Sequence, residues 1–223
     1  MIKIIALDLD NTIYDHRQYV EAAYKDISGF VSWKRGIDNS KFYDWILQSW
    51  SQKGSSYNRI FEEGYRHFHL KGFHEDIGNI LELYHSVTPM LEPFEGTYEV
   101  LGLLSGKFKL NLITDGHVQT QMHKIRSLKI DQYFQRVYIS AAFGSDYYKP
   151  STKMFEKCLA DEGACAEELV YIGDNPQLDF PPCKSMGISF VRLLKGENIR
   201  QKLDGVHTIN DIKELPLLLE RLE

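Results

Sequence analysis

Short apolar, β-branched runs alternate with segments of helical period along most of the 223-residue chain. Residues 2–7, 108–113, 136–140, 169–172 and 188–193 read as strands, and a weaker sixth lies at 206–209. Their near-continuous apolar character suits parallel strands covered on both faces. Helical stretches at 97–104, 118–128 and 151–160 fall between them. In the last, Met154, Phe155, Cys158 and Leu159 share one face, and Ser151 or Thr152 offers the N-terminal cap. Strand–helix alternation of this kind predicts an α/β protein with a doubly wound parallel sheet.

Residues 15–92 break the alternation. Val20, Ala23, Tyr24, Ile27, Phe30 and Val31 follow a helical period, as do Phe42, Trp45 and Ile46, then Phe61, Tyr65 and Phe68, then Ile77, Ile80, Leu81 and Tyr84. The region reads as an all-helical insert, closed by the turn-rich stretch 88–96. The expected organisation is therefore a Rossmann-like core of residues 1–14 and 93–223 with a helical domain at 15–92.

The net charge of −5 and the scattered Lys and Arg residues argue against nucleic acid or an anionic membrane as the main partner. Cys158, Cys165 and Cys183 are odd in number and lack metal-ligand spacing, so they read as buried or half-buried free thiols of a reducing compartment. The apolar run before Asp8 is too short for a signal sequence or a membrane span. A cytoplasmic protein is expected, with monomer and homodimer both open.

What ends each strand is more informative. The first runs into Asp8-Leu9-Asp10-Asn11-Thr12 and the second into Thr114-Asp115-Gly116. Lys149-Pro150 follows the third, and the fourth ends in Gly173-Asp174-Asn175 with Asp179 beyond. In an open parallel sheet these carboxyl ends share the edge where ligands bind. Asp8, Asp10, Asp174 and Asp179 would repel one another there, and a hard divalent cation such as Mg2+ with oxygen ligands relieves that repulsion. Carboxylates, a cation, Lys149 and the Thr114 hydroxyl together suit a phosphoryl group attacked in line by a carboxylate. In extended chain Asp8 and Asp10 point the same way, so one would attack while its neighbour handles a proton.

These residues in this order resemble the four ordered motifs of the haloacid dehalogenase superfamily: Asp8 to Thr12, Thr114, Lys149, and Asp174 with Asn175 and Asp179. The resemblance spans essentially the whole chain. It implies that Asp8 is nucleophile and metal ligand. It further implies that Asp10 protonates the leaving oxygen, then activates water, and offers its backbone carbonyl to Mg2+. Thr114 and the Asp115 backbone amide would hold phosphoryl oxygens, and Lys149 would neutralise charge. Asp174 would bind the metal, with Asp179 and Asn175 in support. Dehalogenating members lack an acid at the position of Asp10, so phosphate chemistry is favoured.

The insert occupies the position of that superfamily's helical cap, with hinges expected near 14–16 and 90–95. Such a cap would exclude water and select the leaving group. Tyr14, His16, the loop 54–59 and, at the rim, His117 are candidates to face the site. The resemblance extends to phosphatases of nucleoside monophosphates and sugar phosphates. A phosphosugar mutase, a phospho-aspartate signalling module and a binding protein without turnover are the rival readings.

Overall fold

A computed structural model describes residues 1–222. It divides into two compact units: Met1–His16 with the chain from Met90 onward, and Arg17–Pro89. The second unit holds α1 (Arg17–Arg35), α2 (Asn39–Lys53), α3 (Ile60–His67) and α4 (Phe73–Ser86). One face of α1 is apolar because Tyr19, Val20, Ala23, Tyr24, Ile27 and Val31 recur at helical spacing, and all six are buried. Asp38 caps α2 by accepting a hydrogen bond from the Lys41 amide at 2.9 Å. Aromatic edges knit the helices together, with Phe42 against Tyr65 and Tyr24 against Phe61.

The first unit is built on a six-stranded, wholly parallel sheet. Its strands are β1 (Ile4–Leu7), β2 (Lys109–Thr114), β3 (Arg136–Ile139), β4 (Leu169–Gly173), β5 (Ser189–Leu193) and β6 (His207–Ile209), in spatial order β3-β2-β1-β4-β5-β6. Every residue of β1 and β4 is buried, as expected of strands covered on both faces. In register, Leu7 sits between Leu112 and Ile172, so β1, β2 and β4 run out at nearly the same level. The order reverses at β1. A crevice therefore opens beside it at the carboxyl ends, where open α/β sheets take ligands.

α5 (Thr97–Ser105), α6 (Val118–Ser127), α7 (Lys153–Glu162), α8 (Phe180–Met186) and α9 (Leu215–Leu222) complete this unit. α7 starts two residues later than its apolar pattern suggests. The Ser151 hydroxyl accepts from the Lys153 amide, whereas the Thr152 hydroxyl turns to Glu156. Cys158 and Cys183 are buried free thiols, but Cys165 is exposed at the turn before β4. No helix among the described residues is long and apolar enough to cross a membrane.

In the helical unit, one buried charge ties α1 to α4. The side chain of Asp76 is fully buried and accepts from Arg35 at 2.5 and 2.8 Å, from Lys34 at 2.7 Å and from the Tyr65 hydroxyl at 2.6 Å. Burial opposes its charge, yet Arg35, Lys34 and Tyr65 hold the carboxyl well below the usual range. A Cβ on Gly72, at φ +81°, would overlap the Arg35 guanidinium, so that turn requires glycine. Asp76→Ala strips this charge from two cations, and we expect it to cost about 3 kcal/mol in chemical denaturation. A lowered carboxyl pKa stabilises above the unfolded value near 4 and is lost as pH falls through the folded value. The wild-type protein should accordingly lose more stability on acidification than Asp76→Ala.

Candidate active site

β1 delivers Asp8 to the crevice, and the Asp8 amide continues the ladder by donating to the Ile172 carbonyl at 2.9 Å. The chain then turns at Asn11, whose φ of +60° lies in the left-handed region that Asn tolerates. The side chain of Asn11 closes that turn by accepting from the His16 amide at 3.2 Å.

Asp8, Asp174 and Asp179 come together, each buried, with one carboxylate oxygen apiece all within 4.8 Å of one another. Lys149 enters among them. Its Nζ lies 2.8 Å from Asp8 Oδ1, 2.7 Å from Asp179 Oδ1 and 3.0 Å from the Tyr171 hydroxyl. The Lys149 amide donates to the Asp115 carboxylate at 3.0 Å, which fixes the loop that carries it. Asp179 also accepts from the Asn175 amide at 2.9 Å. The Asn175 side chain accepts from the Gln177 and Leu178 amides, so it shapes this loop from within. A Cβ on Gly173 would overlap the Asp179 carboxylate, and only glycine leaves that approach open.

Three carboxylates face one ammonium, and the imbalance appears in their proton affinities. Burial pushes Asp8 up to about 7, with Lys149 opposing and Asp179 adding to the rise. Burial, then Asp179 and Asp8, push Asp174 well above the usual carboxylate range against the pull of Asn198. Burial opposes the charge on Lys149, but Asp179 and Asp8 raise its pKa well above the ordinary lysine value. A cluster of hard oxygens with surplus negative charge fits a divalent cation of the Mg2+ or Ca2+ type.

Asp10 has different neighbours. Its carboxylate does not join the acidic cluster, because four donors hold it elsewhere. Oδ1 accepts from the Tyr14 hydroxyl at 2.6 Å, while His16 Nδ1 and Lys124 Nζ each lie 2.8 Å away. Oδ2 accepts from Gln121 Nε2 at 3.1 Å and from Lys124 at 2.9 Å. Burial works against its charge, but His16 and Lys124 hold Asp10 well below the usual range.

Thr114 is buried, and its hydroxyl oxygen accepts from Gln121 at 2.6 Å. The Asp115 carboxylate serves the Lys149 loop. Tyr14 and His16 thus sit on Asp10. His117 is exposed at the start of α6. In the loop 54–59, Tyr57 and Arg59 pair with Glu63 and Glu62 inside the helical unit.

Sequence reasoning missed Gln121, Lys124, Tyr171, Arg192 and Asn198. Asn198 donates to Asp174 Oδ2 at 2.8 Å, and Arg192 reaches the Asp174 and Asn198 carbonyls at 3.4 and 2.7 Å. A signal was present. Gln121 and Lys124 are polar residues three apart on a helix whose buried face also includes Ile125, and Tyr171 and Arg192 interrupt apolar strands.

Known proteins match the chain along most of its length. The family described as haloacid dehalogenase-like hydrolase matches residues 5–193. The chain is 32% identical to the glyceraldehyde 3-phosphate phosphatase of Methanocaldococcus jannaschii, over 100% of this chain and 99% of that protein. It is 29% identical to the protein of the same name from Pyrococcus furiosus, over 100% of this chain and 93% of that one. Among solved structures, a haloacid dehalogenase superfamily hydrolase from Geobacter sulfurreducens shares the fold, with a TM-score of 0.75 and 22% identity over 98% of this chain and 96% of that one. With its parallel sheet, its acidic crevice and this match along most of its length, the chain belongs to the haloacid dehalogenase-like hydrolases.

Proposed function

We propose that the chain is a Mg2+-dependent phosphatase that cleaves a small phosphorylated metabolite of the sugar phosphate class through a phosphorylated Asp8. One observation carries this reading: three buried carboxylates surround the single ammonium of Lys149, which is shared between Asp8 and Asp179. The relatives named as glyceraldehyde 3-phosphate phosphatases support a triose phosphate as substrate.

An Asp8 oxygen attacks phosphorus as the ester P–O bond breaks. The bonding electrons stay on the leaving oxygen, which takes a proton from Asp10. Water then attacks the aspartyl-phosphate and gives its proton to Asp10, so the second step reloads the acid consumed in the first. The surroundings of Asp10 favour its carboxylate, the form that accepts the proton from water, so the proton handed to the leaving oxygen is the one that the preceding hydrolytic step left on Asp10. Lys149 spreads charge away from Asp8 and the transferring group, and the Thr114 hydroxyl with the Asp115 amide would orient phosphoryl oxygens. Asp8, Asp174 and the Asp10 carbonyl would hold Mg2+, supported by Asp179, and the ion would supply charge neutralisation and polarise the phosphoryl group.

Assaying free phosphate release from triose phosphates, other sugar phosphates and nucleoside monophosphates tests the assignment. Activity should vanish on chelation, and Asp8→Asn should lower kcat at least ~1000-fold. Appreciable turnover by that variant would remove Asp8 as nucleophile.

The raised Asp8 and Asp174 carboxyls give a second prediction. A folded-state carboxyl pKa above the unfolded value costs stability as pH rises between the two, here from near 4 towards the value of about 7 for Asp8. A bound cation offsets that cost, and at lower pH it must displace protons to bind. Added Mg2+ should therefore raise the melting temperature more at pH 8 than at pH 5.5. Equal shifts at both pH values would contradict the site.

A further inference from the structure

The Asp10 carboxylate is gripped from one helix. Gln121 and Lys124 are spaced i, i+3 on α6, and both are almost wholly buried, at 1% and 3% exposure. Residues at that spacing lie on one helix face, and a long polar side chain is placed there at a cost unless it is paired. Lys124 Nζ lies 2.8 and 2.9 Å from the two Asp10 oxygens and so bridges them. Gln121 Nε2 spans Asp10 Oδ2 at 3.1 Å and Thr114 Oγ1 at 2.6 Å. A carboxylate only accepts, so the nitrogen end of the Gln121 amide must face it. That nitrogen then donates to the Thr114 oxygen, whose own proton turns to the Asp115 carbonyl at 3.5 Å, a long contact that a phosphoryl oxygen would replace. Gly116, at φ +136°, makes the crossing possible: a Cβ there would come within 3.1 Å of Gln121 Cδ.

We infer that Gln121 and Lys124 are positioning residues, which aim the Asp10 carboxyl at the leaving oxygen and the Thr114 hydroxyl at the phosphoryl group. The inference rests on the phosphatase reading above, in which Asp10 supplies the leaving-group proton. It adds a second lysine–aspartate pair to the site. Lys149 serves the attacking carboxylate and Lys124 the proton-handling one.

Leaving-group dependence separates positioning from simple structural support. An alkoxide needs a proton as it departs, whereas 4-nitrophenolate leaves without one. The test compares kcat/KM, which reports the steps through phosphoryl transfer to Asp8, for the best alkyl phosphate of the panel and for 4-nitrophenyl phosphate. Lys124→Met should lower the alkyl value at least ~10-fold and the aryl value less than ~3-fold, with the melting temperature recorded alongside. Should Lys124→Met not fold, Gln121→Leu is read by the same ratio and is expected to shift it in the same direction. Equal losses on both esters, or no loss on the alkyl ester, would overturn the inference. Asp10→Asn run in parallel tells the two readings apart. A shifted ratio in Asp10→Asn with an unshifted one in the folded Lys124 or Gln121 variant overturns positioning alone. An unshifted ratio in Asp10→Asn removes the acid role of Asp10, and positioning falls with it.

Discussion

Like charges forced together in a poorly solvated space govern this site. Asp8, Asp174 and Asp179 would not share a buried corner without compensation, and Lys149 provides only part of it. The surrounding features tolerate or exploit that imbalance. Gly173 lets Asp179 approach, the Tyr171 hydroxyl holds Lys149 at 3.0 Å, and Asn198 steadies Asp174. The remaining negative surplus makes the corner receptive to a divalent ion and, through it, to a phosphoryl group.

The sheet explains why these groups meet at all. They lie far apart in sequence, at the ends of β1 and β4, after β3 and at the head of α8. They converge because parallel strands deliver their carboxyl ends to one edge, and the reversal of order at β1 leaves a gap there. Asp10, only two residues from Asp8, is handled differently. The turn at Asn11 and the donors of α6 give it separate surroundings. Two nearby carboxylates thus face opposite electrostatic pressures, Asp8 towards protonation and Asp10 towards ionisation. A cation seated at the acidic corner would oppose the first pressure and favour the ionised form of Asp8.

How much of this could be read from the chain depended on the type of signal. Strands declare themselves through unbroken apolar runs, and the residues that close those runs, Asp8, Thr114 and Asp174, stand out as polar punctuation. Residues buried in the middle of an element do not. Lys124 in α6 resembles any solvated helical lysine, and Arg192 in β5 resembles an edge-strand charge. Their meaning comes from a partner more than a hundred residues away for Lys124, or from backbone carbonyls that only the folded loop presents for Arg192. Asp10 stands out by its spacing from Asp8, but the Gln121 that also holds it does not, since it lies more than a hundred residues further along the chain.

The path of the chain between the two units has a further consequence. The outgoing segment at Ile13 and the returning segment at Phe94 are joined by a backbone hydrogen bond of 2.9 Å, and Tyr14 pairs with Pro93. The polypeptide leaves the sheet-bearing unit and comes back through a single doorway, and the width of that doorway does not depend on how much chain lies beyond it. Lengthening, shortening or exchanging the excursion would add little loop-closure entropy and would leave strand registry untouched. Such a junction lets one hydrolytic scaffold be fitted with different modules, in nature or by grafting, while the acidic corner stays as it is.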